Sequence, residues 1–313
     1  MVDAVVTWVD GSDPAHVAKR KYWLAQLQGS EAISRHGTLH TRWESSFELY
    51  YCIHLIRRNA PWIEKIYLVT DEQRPDWLTE EEARRLDVVL VDHKTIFAGF
   101  EGCLPTFNSD AIEAVLHRVP GLSDRYLYFN DDVFLLRPTP AKKYFHGERA
   151  YWRGRFEKRF TVKQLLKFGR WIAGARERDG FVGVRKERAV LELKRVFNNA
   201  HAPYPFFRDL TRDVIEESGW MEENMSQKFR KWESVSVPQL VSNAAILRGY
   251  ATKGPGDWEY IHSEHSEEEV DRRLERCLKE KKIKSLCVQS LDMMSKQMQD
   301  KIERLLGQAL QGI

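Results

Sequence analysis

The chain has 313 residues, of which 42% are hydrophobic and 30% charged, with a formal net charge of +3. Those are the proportions of a soluble globular protein, long enough for one large α/β domain or one domain with an insertion. No apolar run approaches the roughly 20 residues that span a bilayer, which excludes a membrane-spanning helix.

Asp3 to Val9 read as a first strand, and Asp10-Gly11-Ser12-Asp13-Pro14 as a turn directly after it. A carboxylate and a glycine at the carboxyl end of a first strand stand where wound sheets bind ligands. An ordinary Asp-Gly turn accounts for them equally well. Glu44 to Asn59 repeat at helical spacing, with Phe47, Tyr51, Leu55 and Arg58 on one face and Leu49, Ile53 and Ile56 beside them; Pro61 ends the helix. Lys65 to Thr70 form a second strand ending at Asp71, Glu80 to Leu86 a helix, and Val88 to Val91 a third strand ending at Asp92. A helix follows Asn108 or Ser109, either of which suits an N-cap, with Ile112, Val115 and Leu116 as its apolar face. Glu113 lies about one turn in, on the surface if the helix is purely structural or facing a cleft at its start. Tyr126 to Phe129 are the next strand. Short strands alternating with helices from 3 to 137 predict a wound, largely parallel sheet.

That last strand delivers Asn130-Asp131-Asp132 before apolar sequence resumes at Val133. Adjacent carboxylates near a core repel each other and lose hydration. A hard divalent cation removes that cost, since one or two carboxylates plus substrate phosphates are a usual magnesium arrangement. Taken alone, the pair reads as a solvated acidic turn at least as readily.

Arg149 to Arg195 carry fifteen Lys/Arg against five Asp/Glu, interleaved with Tyr151, Trp152, Phe156, Phe160, Phe168 and Trp171. Such a stretch suits an anionic polymer or membrane surface, or is a solvated helical insertion; with no recognisable nucleic-acid fold beside it, nucleic acid is not expected. Asn198 to Arg208 read as a proline-broken loop entering a helix. His201 in that loop is available as an acid, base or phosphate contact near neutral pH, or is simply structural. Ser285 to Gln289 suggest a short strand. Leu291, Met294, Met298, Ile302, Leu305, Ala309 and Ile313 recur every three or four residues, hence an amphipathic helix packed on the domain, with membrane-surface contact the lesser alternative. Cys52, Cys103, Cys277 and Cys287 form no Cys-x-x-Cys pair, which argues for reduced thiols in a cytoplasm rather than structural zinc. Met1 to Val6 lack a basic region and a cleavable signal, so secretion is not expected.

Several segments together resemble the Stealth family of sugar-phosphate transferases. They are Val5-Val6-Thr7-Trp8-Val9-Asp10-Gly11-Ser12-Asp13-Pro14, Ala60-Pro61-Trp62-Ile63 with Ile66 to Asp71, Gln73-Arg74-Pro75, Pro105 to Ser109, Ala111-Ile112-Glu113, the strand ending in Asp131-Asp132, Ala200-His201-Ala202-Pro203 with Arg208, and Phe229-Arg230. The resemblance covers most of residues 3 to 250 in the family's order. It implies a Rossmann-like, GT-A-like wound mixed sheet with a helical insertion and a helical C-terminus. The catalytic α/β domain would be 1–148 and 196–290, the basic insertion 149–195 and the terminal helix 291–313.

The same resemblance implies transfer of a hexose 1-phosphate from a UDP-sugar to a hydroxyl of a glycan or glycolipid acceptor, with release of UMP, in capsular or exopolysaccharide synthesis. Carried over, Asp131 and Asp132 would hold Mg2+ or Mn2+, and His201, Arg230 and Glu113 would be catalytic. Trp8, Asp10, Gly11, Arg74, Asn108, Asn130 and Arg208 would bind substrate. The implied location is the cytoplasm, with peripheral association with the inner face of the membrane as a variant. Alternatives are a metal-dependent glycosyltransferase releasing UDP and a degenerate glycan-binding protein. The sequence departs from the family pattern at Glu44 and Ser45 after Arg42-Trp43, at His54, and at Val288-Gln289-Ser290 after Cys287, where an Asn-Asp pair is usual.

Overall fold

The computed structural model describes residues 1–26, 47–158, 195–231 and 234–313. Strands in chain order are β1 (Asp3–Thr7), β2 (Ile66–Thr70), β3 (Val88–Asp92), β4 (Arg125–Asn130), β5 (Val133–Leu135), β6 (Phe145–His146), β7 (Arg149–Trp152), β8 (Gly154–Lys158), β9 (Arg195–Asn199), β10 (Tyr204–Phe207), β11 (Ala251–Lys253), β12 (Trp258–His262) and β13 (Ser285–Gln289). The described helices are α1 (Pro14–Gln26), α2 (Glu48–Asn59), α3 (Glu80–Arg85), α4 (His93–Ile96), α5 (Ser109–Glu113), α6 (Arg208–Ser218), α7 (Met221–Ser226), α8 (Val237–Leu247), α9 (Glu267–Lys279) and α10 (Lys296–Gln311).

The main sheet has the order β10-β4-β1-β2-β3. Its four inner and far strands run parallel, and β10 lies antiparallel on β4 at the edge. β1, β2 and β4 are near-continuous apolar runs buried on both faces, as parallel strands covered by helices must be. The chain winds from β1 outward to β2 and β3, then returns to β4 on the other side of β1. The carboxyl ends of β1 and β4 are therefore the topological switch point, where open α/β sheets form their ligand crevice. Register aligns Thr7 with Asn130 and Val69, and Thr70 with Asp92, so the segments beginning at Trp8, Asp71, His93 and Asp131 all leave from one edge.

A second sheet, β12-β13-β5, begins two residues after β4 ends. The Asp131-Asp132 turn thus joins two sheets, and Val288 N–H donates to Asp132 O at 3.0 Å across the join. Small sheets β11-β7-β6 and β8-β9 complete the described strands.

Several sequence expectations change here. Arg149–Trp152 and Gly154–Lys158 are strands, so the segment 149–195 opens in β-structure; residues 159–194 lie outside the described residues. The loop after Asn198 contains β10. Pro203 and Pro205 mask it in the sequence, but an edge strand tolerates proline because its outer side needs no donor. In the tail a 3-10 turn at Leu291–Met293 leads into α10 at Lys296, which is capped by the Ser295 hydroxyl on Met298 N–H and buries Met298, Ile302, Leu305, Leu306 and Ala309. In α2, Leu49, Cys52, Ile53, Leu55 and Ile56 face the core. Arg58 instead reaches the Gln311 carbonyl at 2.9 Å, so the helix is covered on both sides. Glu44 and the altered residues around it lie outside the described residues. All four cysteines are free. No helix among the described residues is long and apolar enough to cross a membrane.

Burial pushes two histidines, His93 and His117, down to about 4. Ordinary imidazoles titrate near 6.5, so between those values the unfolded chain binds protons that the fold does not. Their contribution to stability is complete above pH 6.5 and is lost as pH falls toward 4. Replacing His93, which is 1% exposed, by Asn is expected to lessen the slope of unfolding free energy against pH by about 1.4 kcal/mol per unit between pH 4.5 and 6. Urea melts across that range measure the slope; equal slopes in parent and variant would refute the assignment.

Candidate active site

Along the first wall, β1 ends at buried Trp8 and turns through Asp10 and Gly11. Asp10 Oδ1 accepts Ser12 N–H at 2.8 Å and the Ser12 hydroxyl at 2.6 Å, an Asx turn that sets the loop. Gln73 clamps its backbone: Asp10 N–H donates to Gln73 Oε1 at 2.8 Å, and Gln73 Nε2 donates to Asp10 O at 2.9 Å. Gln73 thus fixes the backbone of the Asp10 turn, a role that no sequence feature assigned to it. Arg74 turns away, to Glu80 at 2.6 Å and the Leu78 carbonyl at 3.3 Å.

Across the switch point, β4 carries a buried phenol that links three elements. The Tyr128 hydroxyl lies 3.1 Å from Thr7 Oγ1, 2.7 Å from Asn130 Oδ1 and 3.1 Å from Glu113 Oε1. Burial first, then the Glu113 charge, pushes this phenol well above its ordinary range, so it remains a hydrogen-bonding group. Glu113 is 7% exposed, which settles its position: it faces inward from α5. Strand alternation is the signal that would have paired Tyr128 with Asn130.

Arg230 reaches the same place through backbone pairing. Phe107 N–H donates to Lys228 O at 2.7 Å, and the Phe107 and Phe229 rings stack at 5.0 Å. Arg230 Nη2 then donates to Ser109 Oγ and Asp110 Oδ1, each at 2.8 Å. Burial works against its charge, but Asp110 and Glu113 outweigh burial and raise its pKa. Its Nε is buried with no hydrogen-bond partner among the described residues. A guanidinium anchored at one nitrogen, with another donor unspent, suits an anionic ligand.

Asp131 and Asp132 are half-buried between the sheets. Burial pushes the Asp131 carboxyl up. Behind the pair, the Cys287 thiol is raised by burial and then by Asp132, with which it hydrogen-bonds. The buried Tyr204 phenol is raised by burial and then by Glu113, Cys287 and Asp132, and lowered by Arg230, so these groups share one neighbourhood. Carboxylate oxygens in such a negative field are the donors a hard cation takes. Among the described residues no group of three or more acidic, histidine or cysteine side chains is placed to hold a metal ion.

His201 sits in the β9–β10 turn with its ring stacked on Tyr260, centroids 4.9 Å apart and planes at 19°. Desolvation, then His262 and Arg230, lowers its pKa below the usual imidazole range. Tyr260 on β12, also within the field of Asp132, went unassigned in the sequence, where nothing local marks it.

Asn108 and Arg208, like Arg74, have protein partners of their own. Asn108 is fully buried; its Oδ1 caps α5 on Asp110 N–H and its Nδ2 donates to the Gln227 carbonyl, so it builds the loop rather than touching a ligand. Arg208 lies at the opposite edge of the sheet. Antiparallel β10 carries the chain from Tyr204 beside Tyr128 to Phe207 beside Arg125, and Arg208 there binds Leu122 O and Asp124 Oδ1, each at 2.8 Å.

Paired carboxylates, a guanidinium and an imidazole thus come together near the switch point of a wound α/β sheet, the place where such sheets commonly take ligands. Residues 2–28 match Stealth protein conserved region 1 and residues 42–151 match conserved region 2; the chain belongs to the Stealth family. It is 38% identical over 258 residues to an exopolysaccharide phosphotransferase of Streptomyces coelicolor, covering 80% of this chain and 25% of that one. It is 28% identical over 301 residues to a capsular polysaccharide phosphotransferase of Streptococcus pneumoniae, covering 84% and 87%. The chain spans about a quarter to a half of the length of several curated relatives it matches. A solved galactosyltransferase, LgtC, with donor and acceptor sugar analogues aligns over 98% of this chain and 95% of its own at a TM-score of 0.43 and 10% identity, a likeness too remote to bear on function.

Proposed function

We propose that the chain transfers a hexose 1-phosphate from a UDP-sugar to a hydroxyl of a glycan acceptor, in capsular or exopolysaccharide synthesis. The observation that carries this reading is the convergence of Asp131, Asp132, Arg230, Glu113 and His201 at one switch point. The phosphotransferase names of its relatives support it.

In the reaction, the acceptor oxygen forms a bond to the sugar-bearing phosphorus as its proton passes to an imidazole nitrogen of His201. The bond from that phosphorus to the bridging oxygen breaks, and UMP leaves with the electron pair. Arg230, steadied by Asp110 and Ser109, offers its remaining donors to the phosphate oxygens. Glu113 holds the guanidinium charge in place and receives the Tyr128 hydroxyl. Asp131 and Asp132 would hold a divalent cation, Mg2+ or Mn2+, which when bound neutralises diphosphate charge. The Asp10 loop, fixed by Gln73, lies on the nucleotide side.

Phosphorus NMR of the product, with analysis of released nucleotide, tests the reading. A phosphodiester with UMP is expected; UDP would instead mean glycosyl transfer. Asp132→Asn is expected to lose most turnover and to weaken Mg2+-dependent UDP binding. A fully active variant would sink the metal assignment.

A further inference from the structure

Three histidines surround one phenol at the rim of the cleft: His201 stacks on Tyr260, while His262 and His265 lie 6.1 and 6.0 Å from the same ring. The outer two are chemically committed. Glu264 N–H donates to His262 Nδ1 and His262 N–H to His265 Nδ1, both at 3.1 Å. A backbone amide can only donate, so Nδ1 of each of these two rings is occupied as an acceptor. His201 makes no hydrogen bond through its ring among the described residues, so of the three it alone keeps both nitrogens for a substrate.

An imidazole in an exposed turn has freedom about both side-chain torsions, and a base that swings is a poor base. The phenol beneath it is fixed at its far end, where the Tyr260 hydroxyl donates to Gln289 Oε1. Parallel pairing sets Tyr260 opposite Cys287 and His262 opposite Gln289, with Ile261 buried on the other face. The pairing therefore ties the stacking platform to the strand that backs Asp132.

We propose that Tyr260, tethered by Gln289, is the positioning residue for His201, an inference that rests on His201 being the proton acceptor. The flat stack sets the plane of the imidazole. The second sheet thereby fixes the spacing between the base and the acidic pair.

The test compares the parent chain with His201→Ala, Tyr260→Leu, Tyr260→Phe and Gln289→Ala. It reads UMP release from a panel of UDP-hexoses with Mg2+, calorimetric binding of Mg-UDP, and the imidazole Cε1–H resonances, with His201 assigned from its own variant. Tyr260→Leu is expected to lower kcat about 10–100-fold with KM for the donor and Mg-UDP affinity unchanged. The His201 resonance, shielded by the phenol in the parent, should move to the unshielded position. Tyr260→Phe keeps the stack and should hold kcat within about 5-fold of the parent while retaining the shielding; Gln289→Ala should lose part of both. Parental kcat in Tyr260→Leu, with His201→Ala inactive, overturns the positioning role and leaves the base intact. Parental rates in His201→Ala overturn the base itself. Should Tyr260→Leu fail to fold, an unshielded His201 resonance in the parent, or unchanged kcat and shielding in Gln289→Ala, overturns the proposal.

Discussion

His201→Ala is expected to slow UMP release about 10²–10⁴-fold while leaving Mg-UDP affinity within about 3-fold, because a positioned general base contributes that much and is spent on the acceptor rather than the donor. The prediction separates two halves of the cleft. In the proposed reaction Asp131, Asp132 and Arg230 would present charge to a diphosphate, whereas His201 stands in the β9–β10 turn with its ring stacked on Tyr260 of β12. Its lowered pKa gives the sign of the pH dependence: desolvation, His262 and Arg230 disfavour the imidazolium, so the base form persists to more acid pH than for a free histidine. The acid limb of the kcat profile should therefore fall below pH 6.5 and vanish in the alanine variant. Stopped-assay nucleotide analysis across pH, with calorimetric Mg-UDP binding, measures both. Equal loss of turnover and of UDP affinity would assign His201 to donor binding instead; unchanged turnover would remove it from the chemistry.

The candidate site's layout was legible where one strand delivers a chemical group directly into a turn. Asp10 and Asp131-Asp132 each follow a strand whose apolar run is unmistakable, and strand register places both at the same sheet edge. The resemblance added Glu113, His201 and Arg230, which meet only through long-range pairing. The Phe107–Phe229 bridge, for instance, joins segments with no local sign of contact. Legibility failed where direction along a strand decides the outcome. His201 and Arg208 are close in sequence, but β10 separates them across the sheet, and the prolines that disguised β10 concealed that separation. It failed again where one side chain serves another. Tyr128, Gln73 and Tyr260 carry no motif, and each matters through a partner from a different segment. Asn108 shows the converse, a residue within a recognisable motif whose buried amide bonds Asp110 N–H and the Gln227 carbonyl in building the loop.

Arg153→Met is expected to destabilise the fold by about 3–5 kcal/mol, as removal of one partner from a buried ion pair does. Arg153 donates through Nε and Nη2 to the two carboxylate oxygens of Asp257 at 3.0 and 3.1 Å, and the side chains are 1% and 8% exposed. Its remaining nitrogen bonds the Lys143 and Tyr151 carbonyls, and the guanidinium lies 4.0 Å above the Tyr144 ring. Methionine leaves the Asp257 carboxylate buried without its countercharge and two carbonyls without their donor, so the loss exceeds the intrinsic worth of the pair. For a chain of this length the expected fall in Tm is about 5–8 °C. The double variant Arg153→Met with Asp257→Leu removes the stranded charge, and should recover a large part of the loss because apolar replacement of both partners is often near neutral. Asp257 directly precedes β12, and its backbone carbonyl accepts the Lys284 and Ser285 N–H groups that start β13. The ion pair thus fixes the origin of the wall that carries Tyr260. Turnover in Arg153→Met, measured well below its Tm, should fall further than in the double variant. Equal activity in the two would show that β12 holds its place without the pair, and a single variant as stable as the parent would show that the buried charge is compensated elsewhere.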